Sequence, residues 1–131
     1  MEDATVIRIR RSYQLFNATG SFDEDFFASD VEWHNALEVP GARVHRGKDE
    51  VLAELAAQDE VWEWFRIEPV EFETVNEKVI VVTKATALGK TSGAPLEFEI
   101  VHIWTVEGGL VSRIEAFFDR DAAGEAARRT R

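Results

Sequence analysis

A chain of 131 residues with 25 acidic and 15 basic side chains carries a formal charge of −10, which argues against nucleic acid or an anionic membrane surface as a partner. It has no cysteine, and that excludes disulfides, thiolate metal sites and a cysteine nucleophile. Nine Phe and four Trp against one Tyr exceed what a small helical bundle needs and suit the lining of an apolar cavity. The length predicts a single domain over 1–131. The first residues are acidic and lack a long apolar core, so no signal peptide is expected, and no apolar run approaches the roughly 20 residues of a membrane span. A cytoplasmic protein without membrane contact is the expectation.

Val6, Ile9, Tyr13 and Phe16 recur at three- and four-residue spacing, one face of an amphipathic helix that "NATG" (17–20) breaks. Ser21 and Glu24 are spaced as a capping box for a short second helix that carries Phe22, Phe26 and Phe27 inward. "DVEWHN" (30–35) alternates with a period of two and predicts a strand. "ALEVPGARVHRG" (36–47) reads as a loop around Pro40-Gly41 and Gly47. Val51, Leu52 and Leu55 predict a helix over 48–58, after which Trp62 either finishes that helix or begins a strand.

Four β-like runs follow, over 66–75, 78–90, 96–106 and 110–118. They are joined by Asn76-Glu77, by "TSGAP" and by Gly108-Gly109, short turns that make a meander. Residues 120–131 are Ala-rich and predict a terminal helix that frays. Helices ahead of an antiparallel sheet give an α+β fold. To bury so many aromatics the curved antiparallel sheet must wrap around the N-terminal helices, leaving a cone with a pocket at its wide end.

This order, together with "FASDVEWHN", "RGKDEVLAEL" and "WTVEGGLVSRIEAFFD", resembles the SnoaL-like branch of the nuclear transport factor 2 superfamily, from Tyr13 to about Ala123. The resemblance implies a cone-shaped, cystatin-like α+β barrel and a homodimer through the outer sheet face. That superfamily hosts isomerases, cyclases, dehydratases and proteins that only bind, so the fold does not choose among them. Laid over this chain, the general-base Asp of the steroid isomerases falls on Asn35, their donor Asp on His102 and their helix-one Tyr on Ser12, one residue before Tyr13. An amide accepts no proton near neutrality, which disfavours steroid isomerase chemistry. The catalytic Asp of the SnoaL-like cyclases falls on Ala116, with Glu115 on the opposite face.

His102 is therefore the leading catalytic candidate, on a strand face shared with Phe98, Ile100 and Trp104; a neutral imidazole there can give and take a proton. The competing reading is a core histidine held by a neighbouring carboxylate or carbonyl. Asn35 would orient a ligand oxygen, and His34 enters the pocket only if the strand register slips by one residue. Tyr13, Trp33, Trp104, Ala116 and Phe118 are expected as pocket walls. His45 and Arg46 sit on a loop where the default is a solvated side chain, and Asp119 is placed to cap the terminal helix. The three histidines fall on separate elements without close ligand spacing, so no metal is expected, and no phosphate-cradling glycine loop or cofactor motif is present. Two functions stay open: a pocket for a small apolar ligand with cofactor-free acid–base chemistry of the isomerase, dehydratase or cyclase type, or a non-catalytic binding or assembly module.

Overall fold

The structure, a computed structural model, describes residues 3–36, 43–57, 60–91 and 93–129. Helix α1 (Ala4–Thr19) opens on Asp3, whose carboxylate accepts the Thr5 amide at 2.7 Å, and closes at Gly20, which takes the left-handed φ of 85°. Its apolar stripe buries Val6, Ile9 and Tyr13. The capping box does not form. Asp23, not Ser21, caps a single 3-10 turn (Glu24–Phe26), and the Ser21 hydroxyl donates instead to the Phe22 carbonyl. Phe22, Phe26 and Phe27 are buried as expected, but Phe27 already begins strand β1 (Phe27–His34).

The stretch read as a loop over 36–47 contains strand β2 (Val44–Arg46), which pairs antiparallel with β1; the Pro40-Gly41 turn lies outside the described residues. A three-residue strand has too little alternation to be seen in sequence. Helix α2 (Lys48–Ala57) follows and buries Val51 and Leu55. Trp62 starts strand β3 (Trp62–Val75), which continues through β4 (Lys78–Gly89), β5 (Pro95–Glu107) and β6 (Leu110–Phe117). Gly108 and Gly109 both have positive φ, the geometry that a tight two-residue hairpin requires.

The six strands form one open sheet in the order β2-β1-β6-β5-β4-β3. The meander is antiparallel, while β1 lies parallel to β6 because the whole chain from β2 to β5 separates them. Edge strand β3 carries Pro69 at a register shift against β4, where a missing donor does least harm and the irregularity sharpens the sheet's curl. The Asn17 side chain pairs with the backbone of Ile67 as a strand would, donating to its carbonyl at 2.8 Å and accepting its amide at 2.9 Å, and so fastens α1 to that edge.

Two apolar clusters result. The inner one joins α1 and α2 to the concave sheet face through Ile9, Tyr13, Val51, Val81, Trp104 and Ile114. The outer one is covered by α3 (Arg120–Arg129), whose Ala123, Ala126 and Ala127 lie against Ile80, Val82, Val101 and Ile103. Val101 and Ile103 lie on the outer sheet face, yet they are 1% and 0% exposed because the chain's own helix covers them. Asp119 accepts the Asp121 amide at 3.0 Å, capping α3, and Arg120 clamps Glu99 of β5 through two hydrogen bonds. Among the described residues no helix is long and apolar enough to cross a membrane.

Replacing fully buried Ala127 by Glu puts a charge into the α3 contact. It should cost roughly 2 kcal/mol, read as a lower urea midpoint, and the uncovered Val101 and Ile103 should bind a hydrophobic dye. Unchanged dye binding would mean that α3 does not shield that face.

Candidate functional site

The alternation of β5 turns Phe98, Ile100 and His102 toward the concave side, where they line a cavity of about 360 Å3. Trp33 and Asn35 come to it from β1 and the residues just past it, Ala116 and Phe118 from β6 and its end, and Phe16 and Phe22 from α1 and the following turn. Val61, Trp62 and Phe65 complete the lining. Phe118 and Val61 are 44% and 58% exposed, so the lining reaches solvent at these residues, whereas His102 is buried.

His102 is buried, and its Nδ1 lies 2.8 Å from the Tyr13 hydroxyl. The Trp104 indole N–H, which can only donate, reaches the same Tyr13 oxygen at 2.9 Å. The hydroxyl proton then has one acceptor, His102 Nδ1; any other assignment leaves a buried polar hydrogen without a partner. Trp104 thus donates to Tyr13 and Tyr13 to His102, so the neutral imidazole carries its proton on Nε2. That N–H has no hydrogen-bond partner among the described residues and stands as a free donor at the cavity wall. Burial lowers the His102 pKa from 6.5 to about 4 and raises that of Tyr13, the latter opposed by the Trp104 hydrogen bond. The Trp33 ring meets the His102 ring edge-on at 5.6 Å and fixes its plane.

A second polar group lies elsewhere on the cavity wall. Asn35 accepts the Trp33 indole N–H at 2.8 Å, and its Nδ2 is 3.5 Å from His45 Nε2. His45, expected to be solvated, is 7% exposed on β2, with Glu54 Oε1 3.5 Å from Nε2 and Glu50 Oε1 3.7 Å from Nδ1. Glu54 itself lines the cavity.

The structure therefore brings His102, Asn35, Trp33, Ala116 and Phe118 to one cavity, with Glu115 on the other face. Tyr13 and Trp104 are not wall residues. They are fully buried one layer behind His102, Trp104 packed against Phe22 and Phe26, because the cone is filled at that end. His34 faces away and hydrogen-bonds Glu32 at 2.9 Å, where Arg46 and Arg113 also gather; these partners, His34 first, hold the Glu32 carboxyl below its usual range. Glu54 is not marked in the sequence analysis, and His45 is given there only as a solvated loop residue. The signal for Glu54 was an acid one turn after Val51 and beside Leu55, on the side of α2 that packs inward. Among the described residues no group of three or more His, Asp or Glu side chains stands close enough to hold a metal ion.

The SnoaL-like domain family matches residues 9–114. The chain belongs to that family. No curated protein sequence matches it. Among solved structures, the SnoaL-like chain is similar to TerC co-crystallised with polyporic acid, at 23% identity and a TM-score of 0.76, over 95% of this chain and 98% of that one. It is also similar to an NTF2-like protein of unknown function from Burkholderia pseudomallei, at 22% identity and a TM-score of 0.78, over 98% and 100% of the two chains. A third likeness is to a protein of ketosteroid isomerase-like fold from Catenulispora acidiphila in complex with trimethylamine, at 13% identity and a TM-score of 0.70, over 92% and 88%. At these identities the likeness is one of fold.

Because folding lowers the His102 pKa from 6.5 to about 4, the unfolded SnoaL-like chain binds a proton in that window that the folded one refuses. Stability from this group is intact above pH 6.5 and declines as pH falls toward 4. His102→Gln should remove roughly 2 kcal/mol of that acid loss, read from urea midpoints of both proteins at pH 7 and pH 4.5. Parallel pH profiles would refute a neutral buried imidazole.

Proposed function

We propose that this protein binds a small, largely apolar ligand in the aromatic cavity and holds one acceptor oxygen of it on the His102 Nε2–H. The observation that carries this reading is the Trp104–Tyr13–His102 chain, which commits Nδ1 and leaves Nε2–H as an oriented donor on a largely apolar wall. A cavity of about 360 Å3 suits a small organic molecule. Two proteins of this fold have been crystallised with polyporic acid and with trimethylamine, small molecules in each case.

The same donor would stabilise negative charge developing on a carbonyl oxygen, the requirement shared by cofactor-free isomerisation, dehydration and aldol-type cyclisation. Its lowered pKa supports this donor role over proton shuttling, since an imidazolium there is costly. Non-catalytic binding is the second reading, favoured by Asn35 at the base position and by the engagement of its amide with Trp33 and His45.

Titration with 4-isobutylacetophenone against its hydrocarbon analogue, with the ketone oxygen removed, tests the binding. His102→Ala should weaken the ketone about tenfold and leave the hydrocarbon within about twofold. Tyr13→Phe should cost roughly 2 kcal/mol of stability by stranding the Trp104 N–H, with a smaller loss of ketone affinity. Equal ketone affinity in wild type and His102→Ala refutes the oxygen anchor. Turnover across ketones, epoxides and hydroxyaromatics separates the two readings: activity lost in His102→Ala supports an enzyme, and none in wild type supports a binding module.

A further inference from the structure

Glu54 is the one acidic side chain among the described residues that line the cavity, whose lining also includes Leu55, Val61, Trp62 and Phe65. A carboxylate on such a wall needs donors, and among the described residues this one has a single candidate, His45 Nε2 at 3.5 Å. That nitrogen is already contested. The Asn35 amide is oriented by accepting the Trp33 indole N–H at 2.8 Å, so its Nδ2 is a donor, and it too lies 3.5 Å from His45 Nε2. One imidazole nitrogen can accept from Asn35 or donate to Glu54, never both. With its side chain 24% exposed, Glu54 keeps acceptor capacity turned to the cavity.

The rings around it sharpen what would satisfy that capacity. Trp33, Trp62, Phe65, Phe98 and Phe118 line the same cavity, and aromatic faces attract cations. A net charge of −10 adds to that attraction and repels anions. We propose that Glu54 is a second anchor of the pocket, binding the protonated amine of a small ligand whose other end offers the acceptor oxygen to His102. The assignment rests on the oxygen-anchor reading of His102. With an ammonium on Glu54, His45 Nε2 is released to accept the Asn35 amide, and its Nδ1–H turns to Glu50.

The test is isothermal titration of the intact protein at pH 7.5 with 4-(dimethylaminomethyl)acetophenone and its neutral isostere 4-isobutylacetophenone, repeated with the amine one and two methylenes farther out. In wild type the best-spaced amine should bind about tenfold more tightly than its isostere. In Glu54→Gln that preference should vanish while the isostere stays within about threefold. A Glu54→Asp variant, which keeps the charge, should retain part of the preference and guards against loss through misfolding. An isostere that binds as well as every amine in wild type overturns the Glu54 assignment and leaves the His102 anchor standing. An amine preference that survives Glu54→Gln reflects net charge alone and overturns it equally. If no compound of either series binds, the oxygen-anchor reading falls, and the Glu54 assignment with it.

Discussion

The hydrogen-bond chain from Trp104 through Tyr13 to His102 is the constraint on which the remainder of the site depends. All three side chains are buried, and each has a polar atom that would be costly to bury alone. Trp104 and His102 stand two apart on β5, while Tyr13 comes from α1, so the chain can close only when helix and sheet are in register. Ring packing backs it, with Tyr13 edge-on to Trp104 at 5.6 Å and to Phe22 at 5.7 Å. The narrow end of the cone is thereby filled with aromatic side chains whose polar atoms satisfy one another, and His102 is the last member, half in the packed core and half at the cavity.

The rest of the architecture holds that boundary in place. Asn17 ties α1 to the β3 edge, so Tyr13 cannot withdraw without breaking a strand-like pair at Ile67. On the opposite sheet face α3 covers Val101 and Ile103, the neighbours of His102 on its own strand. Arg120 anchors that helix to Glu99, which holds the exposed carboxyl below its usual range. Strand β5 is thus packed on both faces, and its inward side chains have little freedom to turn away from the cavity.

Most of the fold was legible because it is written in alternation: the four long strands, the Gly108-Gly109 turn, and His102 on the inward face with Phe98 and Ile100. Asn35 and Trp33 also point as their shared strand face requires. The sequence was silent where geometry depends on tertiary partners. Tyr13 and Trp104 lie on the correct faces, yet whether such a face lines a cavity or packs behind it depends on what fills the cone. Strand β2 exists through pairing with β1, so His45 reads as a loop residue until that pairing buries it. Ser21 lost its capping role because Asp23 offers a nearer carboxylate to the same turn, a competition that spacing alone does not decide. Glu54 passed for one more surface acid, since in a chain with 25 acidic residues a single inward one carries no compositional mark.

Burial gives the cavity its chemical character as well as its shape. The desolvation that pulls the His102 pKa to about 4 makes the imidazolium expensive, so at neutral pH this residue can offer a proton in a hydrogen bond far more readily than it can take one. An uncharged donor in an apolar wall discriminates strongly: a ligand that leaves Nε2–H unpaired strands a dehydrated polar group, whereas a carbonyl or ether oxygen satisfies it without adding a charge. A carboxylate ligand would meet the same donor, but it would also meet Glu54 on the wall and the chain's negative field. Shape admits many small apolar molecules to this cavity, and the His102 donor and Glu54 carboxylate on its wall narrow them to those bearing an acceptor and no anionic charge.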